Sequence, residues 1–150
     1  MRLFLDTNIV IDYLTARNHV DVIDKIFAAI DEGIHVGVIS IGSYYTITYI
    51  MERFLKDEGL AKPYRLVRLR ELLSELLASL EIAGHTRAEP LSATNNQLFT
   101  DLEDSFQLQA AQSSSCSYLI TNNIKDFPVS HSEMPKVVTP QIFLKETSLH

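Results

Sequence analysis

A short apolar run that stops on an acid, with helical spacing directly behind it, constrains this chain more than any other feature. Leu3, Phe4 and Leu5 suit a buried strand, Asp6 ends it, and Ile9, Val10, Tyr13 and Leu14 then recur at helical intervals. A carboxylate at that handover lies on the carboxyl edge of a sheet, where open α/β folds bind ligands. It also lies beside a helix start, whose free N–H groups and dipole favour an anion. Asp6 is therefore either a plain helix cap or the first residue of a site.

The same alternation runs on. Ile23, Ile26, Phe27 and Ile30 share one helical face, Gly33 ends that helix, and Ile34 to Ile39 reads as a second strand. Ser40 is an expected N-cap for a helix over Ile41 to Leu55, which Lys56 to Gly59 closes. Pro63 suits the first turn of a further helix marked by Leu66, Leu69, Leu72, Leu73, Leu76, Leu77 and Leu80. Glu81 to Gly84 is a candidate short strand. Helices are expected after Pro90 and over Leu98 to Ser113, strands at Ser117 to Ile120 and Lys136 to Val138, and a last helix from Thr139-Pro140 to Leu144. Strands alternating with helices imply a parallel sheet covered on both faces, an α/β fold. Neither a repeat nor a long linker divides the 150 residues, so one domain over 1–150 is expected.

No apolar run reaches the roughly 18 residues of a membrane span. The start is strand-like with an early acid instead of basic and then apolar, so a cytoplasmic protein without a membrane association is expected. Cys116 is the single cysteine, which leaves no internal disulfide and a poor beginning for a zinc site. A net charge of −6 argues against a molecule coated in positive potential, but it leaves room for a local basic stripe.

Oxygen-bearing side chains gather at three places behind apolar runs or at helix starts: Asp6 with Asn8, Asp101 to Asp104, and Thr121 to Asn123 with Asp126. A parallel sheet brings its strand ends to one edge, so these can converge. Thr100 and Glu103 have the spacing of a capping box and read as structural. Asp104 heads the stripe of Leu108 and Ala111, which places an acid at the rim of the core. Such an acid loses solvation unless a cation or hydrogen bonds compensate. Carboxylates held close repel, a divalent cation relieves this, and hard oxygen ligands favour magnesium or manganese. A bound water could then attack a phosphodiester while the metal neutralises the developing charge.

These residues resemble the PIN-domain ribonucleases, most closely the VapC-type toxins of toxin–antitoxin pairs. The resemblance covers nearly the whole chain and rests on Leu5-Asp-Thr-Asn8, Ile39-Ser40 opening a helix, Asp101-Leu-Glu-Asp104 before a helix, Ile120 to Phe127, and Val138-Thr-Pro140. It implies a three-layer α/β/α domain, magnesium- or manganese-dependent cleavage of RNA, a cognate antitoxin partner and a homodimer. Asp6 matches the first metal-binding aspartate and Asp104 the third acidic position. Asn123 matches the fourth, with Asp126 as a nearby carboxylate. Asn8, Ser40, Asp101 and Thr121 are supporting residues. Family members commonly place a glutamate about six residues after the serine equivalent to Ser40. Here that position is Thr46, which removes one negative charge from the implied metal site.

Arg65 and Arg68 share a helical face that could meet RNA phosphates, or they belong to a solvated surface balanced by neighbouring acids. Tyr44, Tyr45 and Tyr49 could stack on bases or pack a core or dimer contact. The leucine-rich helix carries more apolar surface than one face needs, as a dimer or partner interface would. The five scattered histidines read as surface or turn residues, and Cys116 as a small buried one. The expected function is a metal-dependent RNA endonuclease of toxin type. Its rival is a PIN fold that binds RNA or protein without catalysis, favoured by Thr46. A phosphatase with Asp6 as nucleophile ranks third, because the second aspartate of that type is replaced by Asn8.

Overall fold

In the computed structural model the described residues are 1–84, 86–128 and 133–147, without the side chain of Ala88. The elements follow the order β1 (Arg2–Leu5), α1 (Thr7–Thr15), α2 (Val20–Asp31), β2 (Val36–Ile39), α3 (Ile41–Asp57), α4 (Lys62–Ser79), β3 (Leu80–Ile82), α5 (Ala88–Thr94), α6 (Leu102–Ser113), β4 (Tyr118–Ile120), β5 (Lys136–Val138) and α7 (Pro140–Thr147). A single 3-10 turn, Ile124–Asp126, lies between β4 and β5. All strand pairs are parallel, in the order β3-β2-β1-β4-β5.

Period-two alternation sorts the strand side chains into two cores. Leu3, Leu5, Ile39, Ile120 and Val138 face one way and pack with Ile9, Val10, Ile23, Ile26, Phe27, Met51 and Phe143 from α1, α2, α3 and α7. Phe4, Val38 and Leu119 face the other way and meet Phe99, Leu108, Ala111 and Phe127. The result is three layers, with the sheet between α1–α4 and α7 on one face and α6, backed by α5, on the other. Full burial of Leu3, Phe4 and Leu5 explains the unbroken apolar run of β1. Each such side chain contributes about 1.5–3 kcal/mol relative to exposure.

Gly37 is required by close approach: a Cβ there would lie 2.5 Å from Leu80 and 2.8 Å from Ile30. Gly33 and Gly59 close α2 and α3 with φ of +76° and +91°, the left-handed backbone at which a helix commonly ends.

Several expectations are corrected. The helix expected over Leu98 to Ser113 begins only at Leu102, because Asn96 accepts a bond from the Leu98 N–H and holds a turn there. The capping box of Thr100 and Glu103 does not form. Asp101 is the N-cap, and its carboxylate accepts from the Glu103 N–H at 2.9 Å. The second strand starts at Val36 instead of Ile34. His35 is buried, not a surface residue, with Nδ1 3.4 Å from the Met1 amino group; His85, His131 and His150 lie outside the described residues. Among the described residues no helix is long and apolar enough to cross a membrane.

Candidate functional site

The chain runs β1, β2, β3 toward one edge of the sheet and then returns to place β4 on the opposite side of β1. The crevice between β1 and β4 is thus a topological switch point, the place where open parallel sheets bind ligands. Leu5 is in register with Ile120, and the Asp6 N–H donates to the Ile120 carbonyl at 3.0 Å. Asp6 and Thr121 are therefore neighbours across that crevice, and Ser40, the residue after β2, opens α3 on the other side of β1.

Asp6 is 8% exposed, so its carboxylate must find partners within the protein. Its Oδ1 caps α1 by accepting from the Thr7 N–H at 2.8 Å and also accepts from the Gln107 amide at 3.3 Å. Its Oδ2 accepts from the Thr121 hydroxyl at 2.8 Å. The cap and the site reading of Asp6 are thus compatible. Among the described residues no lysine or arginine pairs with Asp6 or Asp104.

Gln107 ties this corner together. Its amide nitrogen also reaches Thr7 Oγ1 at 3.2 Å and Ser43 Oγ at 2.8 Å, while its carbonyl accepts from the Ser40 hydroxyl at 2.7 Å. Thr7 and Ser43 share a hydrogen bond of 2.6 Å, and Ser40 caps α3 by accepting from the Ser43 N–H at 3.0 Å. Gln107 and Ser43 were missed by sequence reasoning. The signal for Gln107 was its position three residues after Asp104, on the same face of α6. A glutamine there breaks an apolar stripe just as the acid does.

Asp104 is half-buried on the first turn of α6. Burial, and then repulsion from Asp101, Asp6, Asp126 and Glu103 in that order, push its carboxyl up from 3.8 to about 7. Glu103 is raised as well, by burial first and then by Asp6 and Asp101. Asp6 after β1, the acids at the start of α6 and Asp126 in the loop after β4 thus lie within range of one another's charge. Spacing for a ligand is a stricter condition, and among the described residues no three His, Cys, Asp or Glu side chains meet it.

Asn123 and Asp126 are exposed on the loop after β4, where Thr121 Oγ1 accepts from the Asn123 N–H at 3.1 Å. The Thr121 hydroxyl thus links that loop to Asp6. Asn122 anchors the same loop to α1 by donating to buried Asp12 at 3.0 Å. Asn8 is exposed on α1, and half-buried Thr46 follows Ser43 by one turn of α3. Arg65 and Arg68 lie on α4 with carboxylates of their own, Glu52 at 3.9 Å and Glu71 at 3.1 Å. Tyr44 packs on the core, whereas Tyr45 and Tyr49 are exposed.

The donor set can be tested against a divalent ion. Magnesium takes one or two carboxylates, completes its shell with waters and neutral oxygens, and does not need three acids from the protein. An acid raised by unneutralised neighbours, close to a second acid held only by neutral donors, fits such an ion.

Among curated proteins none matches the sequence at a significant level. Among solved structures, a toxin–antitoxin complex from Klebsiella pneumoniae has a chain of like fold, with a TM-score of 0.60 at 24% identity over 92% of this chain and 97% of that one. The family model of the PIN domain matches residues 2–125, from the first strand through the Thr121–Lys125 loop. The chain belongs to the PIN-domain family, whose members are generally nucleases.

Proposed function

We propose that this chain is a magnesium- or manganese-dependent RNA endonuclease, the toxin of a toxin–antitoxin pair. The observation that carries this reading is Asp104, an acid lifted to about 7 by like charges beside buried Asp6 at the sheet's switch point. Family membership and the toxin–antitoxin neighbour support the same reading.

Asp6 and Asp104 would hold the ion, with Asn123 completing the site and Asp126 adding charge. When bound, the ion would supply charge neutralisation at the phosphodiester and a more acidic water as nucleophile. The chain's own contribution is placement. Thr121 and Gln107 fix the two oxygens of Asp6, while Asp12 and Asn122 hold the loop that carries Asn123. Asn8, exposed on the first turn of α1, would orient substrate. RNA strands would reach the exposed Arg68, and Arg65 beside it, by exchanging their intramolecular partners for phosphates. An antitoxin and a second copy of the chain are the expected protein partners, and the cytoplasm is the expected location.

The test is cleavage of RNA across a magnesium and manganese titration, with Asp6→Asn and Asp104→Asn beside the wild type. Metal-dependent cleavage that falls at least about 100-fold in both variants supports the proposal, a loss typical of removing groups that position a reacting centre. Equal cleavage by all three proteins would sink it. A second reading, a binding module without catalysis, is favoured by Thr46 in place of the usual glutamate. RNA binding without cleavage would establish that reading.

A further inference from the structure

Beside the carboxylate corner lies a cavity of about 240 Å³, walled by the start of α3, the residues after β3, α5 and α6. Its surface is mostly apolar: Ile41, Gly42, Ala83, Ala93, Phe106 and Ala110. Ser40 lines it too, and the same hydroxyl donates to Gln107, which touches Asp6. The α6 wall is the stripe Phe106, Gln109 and Ala110; Gln107 lies on the adjacent sector of that helix, and Asp104, two residues before Phe106, lies on nearly the opposite side. The cavity and Asp6 are therefore joined through Ser40 and Gln107.

The chemistry of the cavity selects its occupant. Glu89 in its lining disfavours a phosphate or a carboxylate. Phe106 is 41% exposed, and it offers an aromatic face on which a planar ring can stack. Gln109, whose amide nitrogen donates to Ser113 at 3.3 Å, and Glu89, whose Oε2 accepts from the Thr86 N–H at 2.9 Å, add an amide and a second acceptor oxygen, the groups that read base edges. The volume lies below the ~300–1,000 Å³ of drug-sized pockets and suits one planar ring.

We propose that this cavity is a nucleobase subsite, holding one base of a single-stranded RNA next to the phosphate positioned at Asp6. The inference rests on the nuclease reading and adds the part of the site that selects sequence. Phe106 stacks on the base, Gln109 and Glu89 contact its edge, and Ser40 joins the subsite to the Gln107 network.

The test uses short RNA oligonucleotides in magnesium, each with 2-aminopurine or an abasic residue at one successive position. Emission is read on first mixing, Kd from titration, and products afterwards. The expected result is quenching at one position only, with Kd about tenfold weaker for the abasic residue there, the size of a lost base–aromatic contact. Ala110→Leu, which fills the cavity, and Phe106→Leu, which removes the ring, should each abolish that positional effect while melting cooperatively. Uniform emission, equal affinity for every abasic oligonucleotide, failure to bind RNA, or an unchanged positional effect in both variants would overturn the subsite. Quenching without products would leave the subsite standing and remove the nuclease reading. Products without positional quenching would do the reverse.

Discussion

At the scale of single residues, the fold disfavours the ionised form of two carboxylates, Glu103 and Asp104. Asp104, raised by burial and by its acidic neighbours, favours its protonated form in the folded state. Its contribution to stability is therefore complete below about 3.8 and is lost as the pH rises through about 7. Metal-free protein should lose stability on this account between pH 5.5 and pH 8, and Asp104→Asn should melt higher than wild type at pH 8. His35, whose pKa burial and the amino terminus pull down, gives a slope of opposite sign. Calorimetry at both pH values should thus compare variant with wild type, and an equal difference at the two values would contradict the account. Gln107→Ala removes the acceptor of the Ser40 hydroxyl and the amide that donates to Asp6, Thr7 and Ser43, leaving Thr7 and Ser43 only each other in a buried corner. A cost of about 1–3 kcal/mol is expected in urea denaturation, as for a buried polar group left without its partner.

Among the elements, α6 carries Glu103, Asp104 and Gln107, and its first turn has two separable properties. Asp101→Ala removes the cap and should cost about 1 kcal/mol. Asp101→Asn keeps a side-chain oxygen for the Glu103 N–H and removes the largest repulsion on Asp104. That variant should be nearly as stable, with the Asp104 titration midpoint moved down, which carbon NMR of the carboxyl group can follow. The identity of α6 was readable from the stripe of Asp104, Leu108 and Ala111. Its start was not, since Thr100 and Asp101 both resemble caps and only the turn held by Asn96 decides between them. The apolar run of β1 and the capping serine of α3 were plain, whereas His35 was misplaced because burial beneath the amino terminus leaves no periodic trace. Gln107 was hidden for a related reason. Its role exists only where α6, α1 and α3 meet.

For the whole molecule, a divalent ion binding at the Asp6 and Asp104 corner should favour the folded state by mass action. At ten times Kd the gain is about 1.4 kcal/mol, so magnesium should raise Tm at pH 8 in wild type and leave Asp6→Asn unmoved. An equal rise in both proteins would place the ion elsewhere. Sequence alternation was enough to establish parallel layering, but not which strands adjoin β1, and that adjacency creates the crevice. The bonds that close it join residues far apart in the chain: Asp6 to Gln107 spans 101 positions, and Asp6 to Thr121 spans 115. During synthesis, a nascent polypeptide that ends before Gln107 lacks both long-range partners of Asp6, and one that ends before Thr121 still lacks the second. Its first hundred residues can emerge from the ribosome beside abundant RNA while the proposed site does not yet exist.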